Sequence, residues 1–219
     1  CSRARNQLED PRAWDGPGRT PEERTAARVY AGYRAQMRTD NAVDFDDLLA
    51  LPLQLFSSGI INPDPTRFRH LLVDEYQDTN PVQNDLVVLL ADKHRNIFVV
   101  GDSDQSIYQF RGADVRNILD FERDYPEAKT VRLEQNYRST GRILAAANAL
   151  IQNNQNRKGK QLWTQSEQGE PIQLVECDSD RREARYVVES IKRLTQQENL
   201  SLAEVAILYR TNAQSRTLE

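Results

Sequence analysis

His70-Leu-Leu-Val-Asp-Glu-Tyr-Gln-Asp-Thr-Asn80 is the stretch that decides the fold. A short apolar run ending in two acids is the pattern of a buried parallel strand. Pro81 to Asp92 then reads as a helix, and Asn96-Ile-Phe-Val-Val-Gly101 repeats the pattern, closing on a Gly-Asp turn. A helix over Val115 to Asp124 and a strand over Lys129 to Leu133 continue the alternation, which predicts an α/β fold with a parallel sheet. Ligands of such sheets bind at the carboxyl ends of the strands, where Asp74-Glu75 and Gly101-Asp102 fall. Upstream, residues 11–21 form a Pro/Gly loop. Thr20, Pro21 and Glu23 mark the start of a helix to about Arg38. A second helix is expected over Phe45 to Phe56, kinked or ended by Pro52. Downstream, a helix runs from Ser139 to about Asn153, followed by a polar segment to Glu170 containing Arg157, Lys158 and Lys160. Then come a strand at Ile172 to Cys177, a helix at Asp180 to Leu194 and a strand at Val205 to Tyr209. A domain boundary is placed near residue 139.

With 219 residues, 38% hydrophobic and 28% charged, the chain reads as folded rather than disordered. No run reaches the roughly 20 apolar residues of a membrane helix, and no leader-like apolar stretch opens the chain. Cys1 and Cys177 make no disulfide framework or metal-ligand spacing. A reduced, cytoplasmic protein without membrane contact is expected. The chain starts at Cys1 and its one methionine is Met37, so it is expected to be an internal piece of a longer protein. A net charge of −4 argues against holding nucleic acid by bulk attraction. The charge is uneven: residues 71–135 carry thirteen acidic against seven basic side chains, and residues 136–219 ten against twelve. The acidic middle is either a solvated surface or a set of carboxylates gathered around a cation.

An Asp directly after an apolar strand is how P-loop NTPases hold Mg²⁺, usually through its waters. Glu75, next in the chain, would orient and deprotonate an attacking water at a γ-phosphate. A lone Asp-Glu pair is equally read as a strand ending in a polar turn. The string Asp74-Glu-Tyr-Gln-Asp-Thr-Asn80 is more specific: it resembles motif II of the UvrD/Rep/PcrA branch of superfamily 1 DNA helicases. Val100-Gly-Asp-Ser-Asp-Gln-Ser-Ile-Tyr-Gln-Phe-Arg-Gly-Ala-Asp114 resembles motif III of that branch. Gln105 has an amide able to read the γ-phosphate. Tyr108 and Phe110, two apart, face the same way in an extended segment; with Arg111 they suit stacking on single-stranded bases. Two core rings are the other reading of a Tyr-x-Phe pair, and Phe110 stands where the branch commonly has Trp. Leu133-Glu-Gln-Asn-Tyr-Arg-Ser-Thr140 resembles motif IV. There the resemblance implies that Tyr137 stacks on adenine and that Arg138 is an arginine finger reaching across a domain cleft. A surface contact is the alternative for a lone Tyr-Arg pair.

Two weaker matches accompany these. Val43-Asp-Phe-Asp-Asp-Leu48 resembles the return from an inserted domain into the first motor domain, and is also a helix start with favourable acids. Leu208-Tyr-Arg-Thr-Asn-Ala-Gln-Ser-Arg216 resembles motif IVa, where Arg210 and Asn212 either contact a DNA phosphate or are structural. The resemblance implies parts of two RecA-like domains: residues 1–42 end an inserted helical domain, 43–138 belong to the first motor domain and 139–219 to the second. It further implies an ATP-dependent 3′-to-5′ helicase using ATP and Mg²⁺. Its partners would be single-stranded DNA, single/double-strand junctions and proteins of repair or replication. A helicase–nuclease of the RecB or AddA type, and a non-catalytic DNA-binding scaffold, are the competing readings. The phosphate-loop pattern GxxxxGK[ST] is absent; Gly16-Pro-Gly-Arg-Thr20 lacks the lysine and the spacing. This chain alone is therefore expected neither to hydrolyse ATP nor to unwind DNA.

Overall fold

A computed structural model describes residues 18–62, 68–154 and 157–219. The expected loop over residues 11–21 lies mostly outside them. The described residues fall into two compact units, one reaching Tyr137 and including Leu144–Gln165, the other made of Arg138–Ile143 and Ser166–Glu219.

In the first unit, helix α1 (Pro21–Thr39) begins at a capping box. The Thr20 hydroxyl accepts from the Glu23 N–H at 3.2 Å, and the Glu23 carboxylate accepts from the Thr20 N–H at 2.8 Å, so two otherwise orphaned donors are satisfied. Helix α2 (Asp47–Ser57) continues past Pro52 instead of ending there. Proline removes one i→i−4 bond, and packing of α2 on the following helix α3 (Pro81–Ala91) outweighs that loss. Helix α3 has its own capping box, with Asn80 and Gln83 exchanging bonds of 2.9 Å. Asp47 anchors α2 to α1. It is only 1% exposed, and both its oxygens accept from Arg34 Nη1, at 2.5 and 2.6 Å. The acids of the Val43–Leu48 stretch thus interlock, since Asp44 also accepts from the Asp47 N–H at 2.8 Å.

The sheet has two parallel strands among the described residues, β1 (Leu71–Val73) and β2 (Ile97–Val99), with Leu71 opposite Ile97 and Val73 opposite Val99. Beyond the ladder the two chains stay stitched. Val100 N–H donates to the Val73 carbonyl at 2.8 Å and Tyr76 N–H to the Val100 carbonyl at 3.0 Å. Tyr76, 1% exposed, is the centre of the core, with the Phe121 ring edge-on at 5.7 Å and Tyr125 stacked on Phe121 at 4.7 Å. Burial pushes the Tyr76 phenol up to about 12, with Tyr125 and Asp124 adding to it, so the hydroxyl stays protonated and donates to Asn84.

Four sequence expectations are corrected. The single helix over Val115–Asp124 is two turns, α4 (Arg116–Leu119) and α5 (Phe121–Asp124). Asp120 separates them, its N–H closing the first turn on Arg116 and its carbonyl opening the second for Arg123. The runs at 129–133, 172–177 and 205–209 form no ladder; among the described residues the one further pairing is a parallel bridge between Gln135 and Trp163. An apolar run marks a capacity to pair, but a strand exists only where a neighbouring backbone offers its edge. Leu174 and Leu208 are accordingly almost fully exposed.

Helix α6 (Gly141–Ile151) follows the motif IV stretch. In the second unit, α7 (Asp180–Gln197) starts where the Ser179 hydroxyl accepts from the Arg182 N–H, and it packs against α8 (Ser215–Leu218). No helix among the described residues is long and apolar enough to cross a membrane.

Two substitutions test this framework. Arg34→Met leaves the Asp47 carboxylate buried without its cation and is expected to cost roughly 3 kcal/mol, read as a lowered urea midpoint. At Gly101 a Cβ would meet Gln77 Oε1 at 2.5 Å, Ile118 Cδ1 at 2.8 Å and the Tyr76 nitrogen at 3.1 Å. Gly101→Ala is therefore expected to destabilise by about 1–3 kcal/mol through overpacking, in the same denaturation measurement.

Candidate nucleotide site

Asp74 and Glu75 emerge from the end of β1 with exposed side chains, as their place after the apolar run predicts. Glu75 holds a left-handed backbone, φ 50° and ψ 43°. A non-glycine residue there stores strain that its surroundings must offset. Three bonds do so: Glu75 N–H donates to Asp74 Oδ1 at 2.9 Å, Asp78 N–H to the Glu75 carbonyl at 2.9 Å, and Gln77 Nε2 to Glu75 Oε2 at 2.8 Å.

Gln77 joins the two motif strings. Only 1% exposed, it gives its amide N–H to Glu75 and accepts the Asp102 N–H on Oε1 at 2.9 Å. Its carbonyl accepts from the Ser106 hydroxyl at 3.3 Å. Further along, the Thr79 carbonyl accepts from the Asp114 N–H at 2.9 Å and from Asn117 Nδ2 at 3.1 Å. Gly101 lets this happen, because its missing Cβ is the space that the Gln77 oxygen occupies. The Asp78 carboxyl, beside them, has one buried oxygen without a partner; burial, then the Glu75 charge, pushes it above the ordinary carboxylate value.

Gln105 ends a 3₁₀ turn, Ser103–Gln105, and its exposed amide donates to Asp102 Oδ2 at 2.8 Å. The same oxygen receives the Lys160 ammonium. Burial raises the Asp102 carboxyl, but Lys160, Gln105 and the Asp104 N–H together outweigh it and hold the group below its ordinary value. Asp104 takes Arg157 in two bonds, Nε at 3.2 Å and Nη2 at 2.7 Å. In the sequence Arg157 and Lys160 stand only as charges in a polar segment and Asp102 only as the acid closing the second apolar run, and nothing local marks a bridging role for Gln77 or Asp104. The available signal was the charge asymmetry, an acidic 71–135 before a more basic remainder.

Tyr108 and Phe110 do not lie in an extended segment. Gln109–Arg111 is a 3₁₀ turn, closed by Gly112 at φ 94°. The rings still neighbour one another, 6.1 Å apart, and the Arg111 guanidinium lies 4.8 Å from the Tyr108 ring and 5.4 Å from that of Phe110. Phe110 is 73% exposed. Tyr137 and Arg138 are exposed, directly after the Gln135–Trp163 bridge. In the second unit Arg210 and Asn212 are exposed around a turn at Asn212–Gln214, where Gln214 Oε1 accepts from the Arg210 and Thr211 N–H groups at 3.0 Å. A polar cavity of about 350 Å³ is bounded by Glu134, Asn148, Gln152, Arg157 and Lys160, and the expected catalytic carboxylates do not line it.

Comparison with known proteins identifies the family. The UvrD/REP helicase N-terminal domain matches residues 1–126, and the UvrD-like helicase C-terminal domain matches residues 131–219. The ATP-dependent DNA helicase PcrA of Staphylococcus epidermidis is 49% identical over the whole chain, that of Staphylococcus aureus 48% and that of Leuconostoc citreum 44%. The chain spans 30%, 30% and 29% of the length of these relatives. Both family domains and full-length coverage of the chain lead to one assignment: it belongs to the UvrD/Rep helicase family.

Proposed function

We propose that this chain is the central part of an ATP-driven motor that moves 3′ to 5′ along single-stranded DNA and opens duplexes in repair or replication. The observation that carries the reading is the Gln77 amide, which ties the strained Glu75 to the start of the segment bearing Gln105, Tyr108, Phe110 and Arg111. In this reading residues 1–42 end an inserted domain, 43–138 belong to the first motor domain and 139–219 to the second. A phosphate-binding loop is supplied from outside these residues.

Glu75 is the base that orients and deprotonates the attacking water, and Gln105 reads the γ-phosphate. Arg138 stabilises the charge that develops on phosphoryl transfer, and Tyr137 stacks on the adenine. Arg111 with Tyr108 and Phe110 offers a cationic aromatic platform to a DNA base, supported by the exposure of Phe110. Arg210 and Asn212 contact the DNA backbone. Mg²⁺ fits the donors present. Asp74 is exposed with one oxygen committed to the Glu75 N–H, and magnesium needs only one or two carboxylates beside water and phosphate oxygens. Held by Asp74, the ion would neutralise charge on the triphosphate.

Motion at Gln105 reaches the platform through a short path. Gln105 and Tyr108 are three residues apart, and both ends of their segment are pinned to the motif II string, at Asp102 through Gln77 and at Asp114 through Thr79. A change at the γ-phosphate therefore has to be absorbed within that pinned loop, where the aromatic rings sit.

In a full-length helicase carrying this segment, Glu75→Gln is expected to lower DNA-stimulated ATP hydrolysis by about 10²-fold or more while single-stranded DNA binding persists. Wild-type protein that binds DNA but hydrolyses no ATP would instead establish a non-catalytic scaffold.

A further inference from the structure

Two acids of the turn that presents Gln105, Asp102 at its N-cap and Asp104 within it, are each held by a cation from far along the chain. Arg157 grips Asp104 with two nitrogens, and the same guanidinium donates to the Lys160 carbonyl at 2.9 Å, fixing the backbone that carries Lys160. Lys160 then reaches Asp102 Oδ2, the very oxygen that accepts the Gln105 amide. These four side chains are 10–21% exposed, unlike the open Arg182–Asp178 pair at 70% and 78%. Water screens them little, so each charge has a large effect on its neighbours. The acids lie in the stretch matched by the N-terminal family domain and the cations in that matched by the C-terminal one, yet all four belong to the same compact unit.

We propose that Lys160 and Arg157 are positioning residues of the nucleotide site, which set how firmly the Gln105 amide is held by Asp102. The inference rests on the reading of Gln105 as the γ-phosphate sensor. An uncompensated Asp102 carboxylate binds the Gln105 N–H strongly, because a charged acceptor makes roughly twice the bond of a neutral one. With Lys160 on the same oxygen, part of that charge is satisfied elsewhere and the amide exchanges more easily between Asp102 and a phosphate oxygen. Arg157 has no bond to Gln105; its part is to clamp the segment so that Lys160 reaches. The γ-phosphate sensor is thus tuned by residues that follow motif IV, about fifty positions downstream.

The test uses a full-length helicase carrying this segment, with steady-state ATP hydrolysis at saturating single-stranded DNA. Lys160→Met is expected to lower kcat about tenfold, with KM for ATP changed by less than about twofold, as for an interaction expressed after binding. Lys160→Arg should restore most of the rate, and Lys158→Met, which disturbs only the exposed pair with Glu122, should leave it unchanged. The deciding comparison is a double-mutant cycle. If Lys160 acts through Gln105, Lys160→Met has no further effect in a Gln105→Ala background. Effects of the two substitutions that multiply would overturn the proposal and leave Lys160 a structural residue. Should Lys160→Met fail to fold, Lys160→Met with Asp102→Asn removes both charges together and enters the same cycle. If Gln105→Ala itself leaves kcat unchanged, the sensor reading fails first and this inference with it.

Discussion

A single buried amide holds the site together. Gln77 has one donor and one acceptor atom in its side chain: the nitrogen donates to the Glu75 carboxylate after β1, and the oxygen accepts from the Asp102 N–H after β2. A buried amide left half-satisfied is costly, so the positions of the two strings are coupled: neither moves without breaking one of these bonds. Gly101 is the geometric condition for this bridge, since any side chain there would fill the place of the Gln77 oxygen. The left-handed Glu75 is its consequence, strained but fixed from both sides.

Around that bridge the charges are arranged in order of burial. Asp74 and Glu75 are exposed, whereas the more buried Asp102 and Asp104 are neutralised by Lys160 and Arg157. The excess of acid over residues 71–135 is therefore not one feature but two. Part of it is exposed at Asp74 and Glu75, and part is an internal scaffold whose counter-charges come from later in the chain. The aromatic platform of Tyr108, Phe110 and Arg111 completes the loop between the two anchor points on motif II.

The sequence by itself determined the parts whose signal is local. The capping box at Thr20–Glu23 marked a helix start, because its bonding groups lie three residues apart. The apolar runs ending in Asp74-Glu75 and Gly101-Asp102 placed the two paired strands. The motif strings were enough to indicate the family. Tertiary structure alone decided the rest, for reasons of distance and competition. Whether the runs at 129–133, 172–177 and 205–209 become strands depends on a partner edge, which no local pattern encodes. Whether Pro52 ends its helix depends on the packing of α2 on α3. That Gln77 is the bridge, and that Lys160 and Gln105 share one oxygen of Asp102, depends on residues 25 to 58 positions apart meeting in space. A sequence shows which groups can donate and accept; only the folded chain shows which of them reach one another.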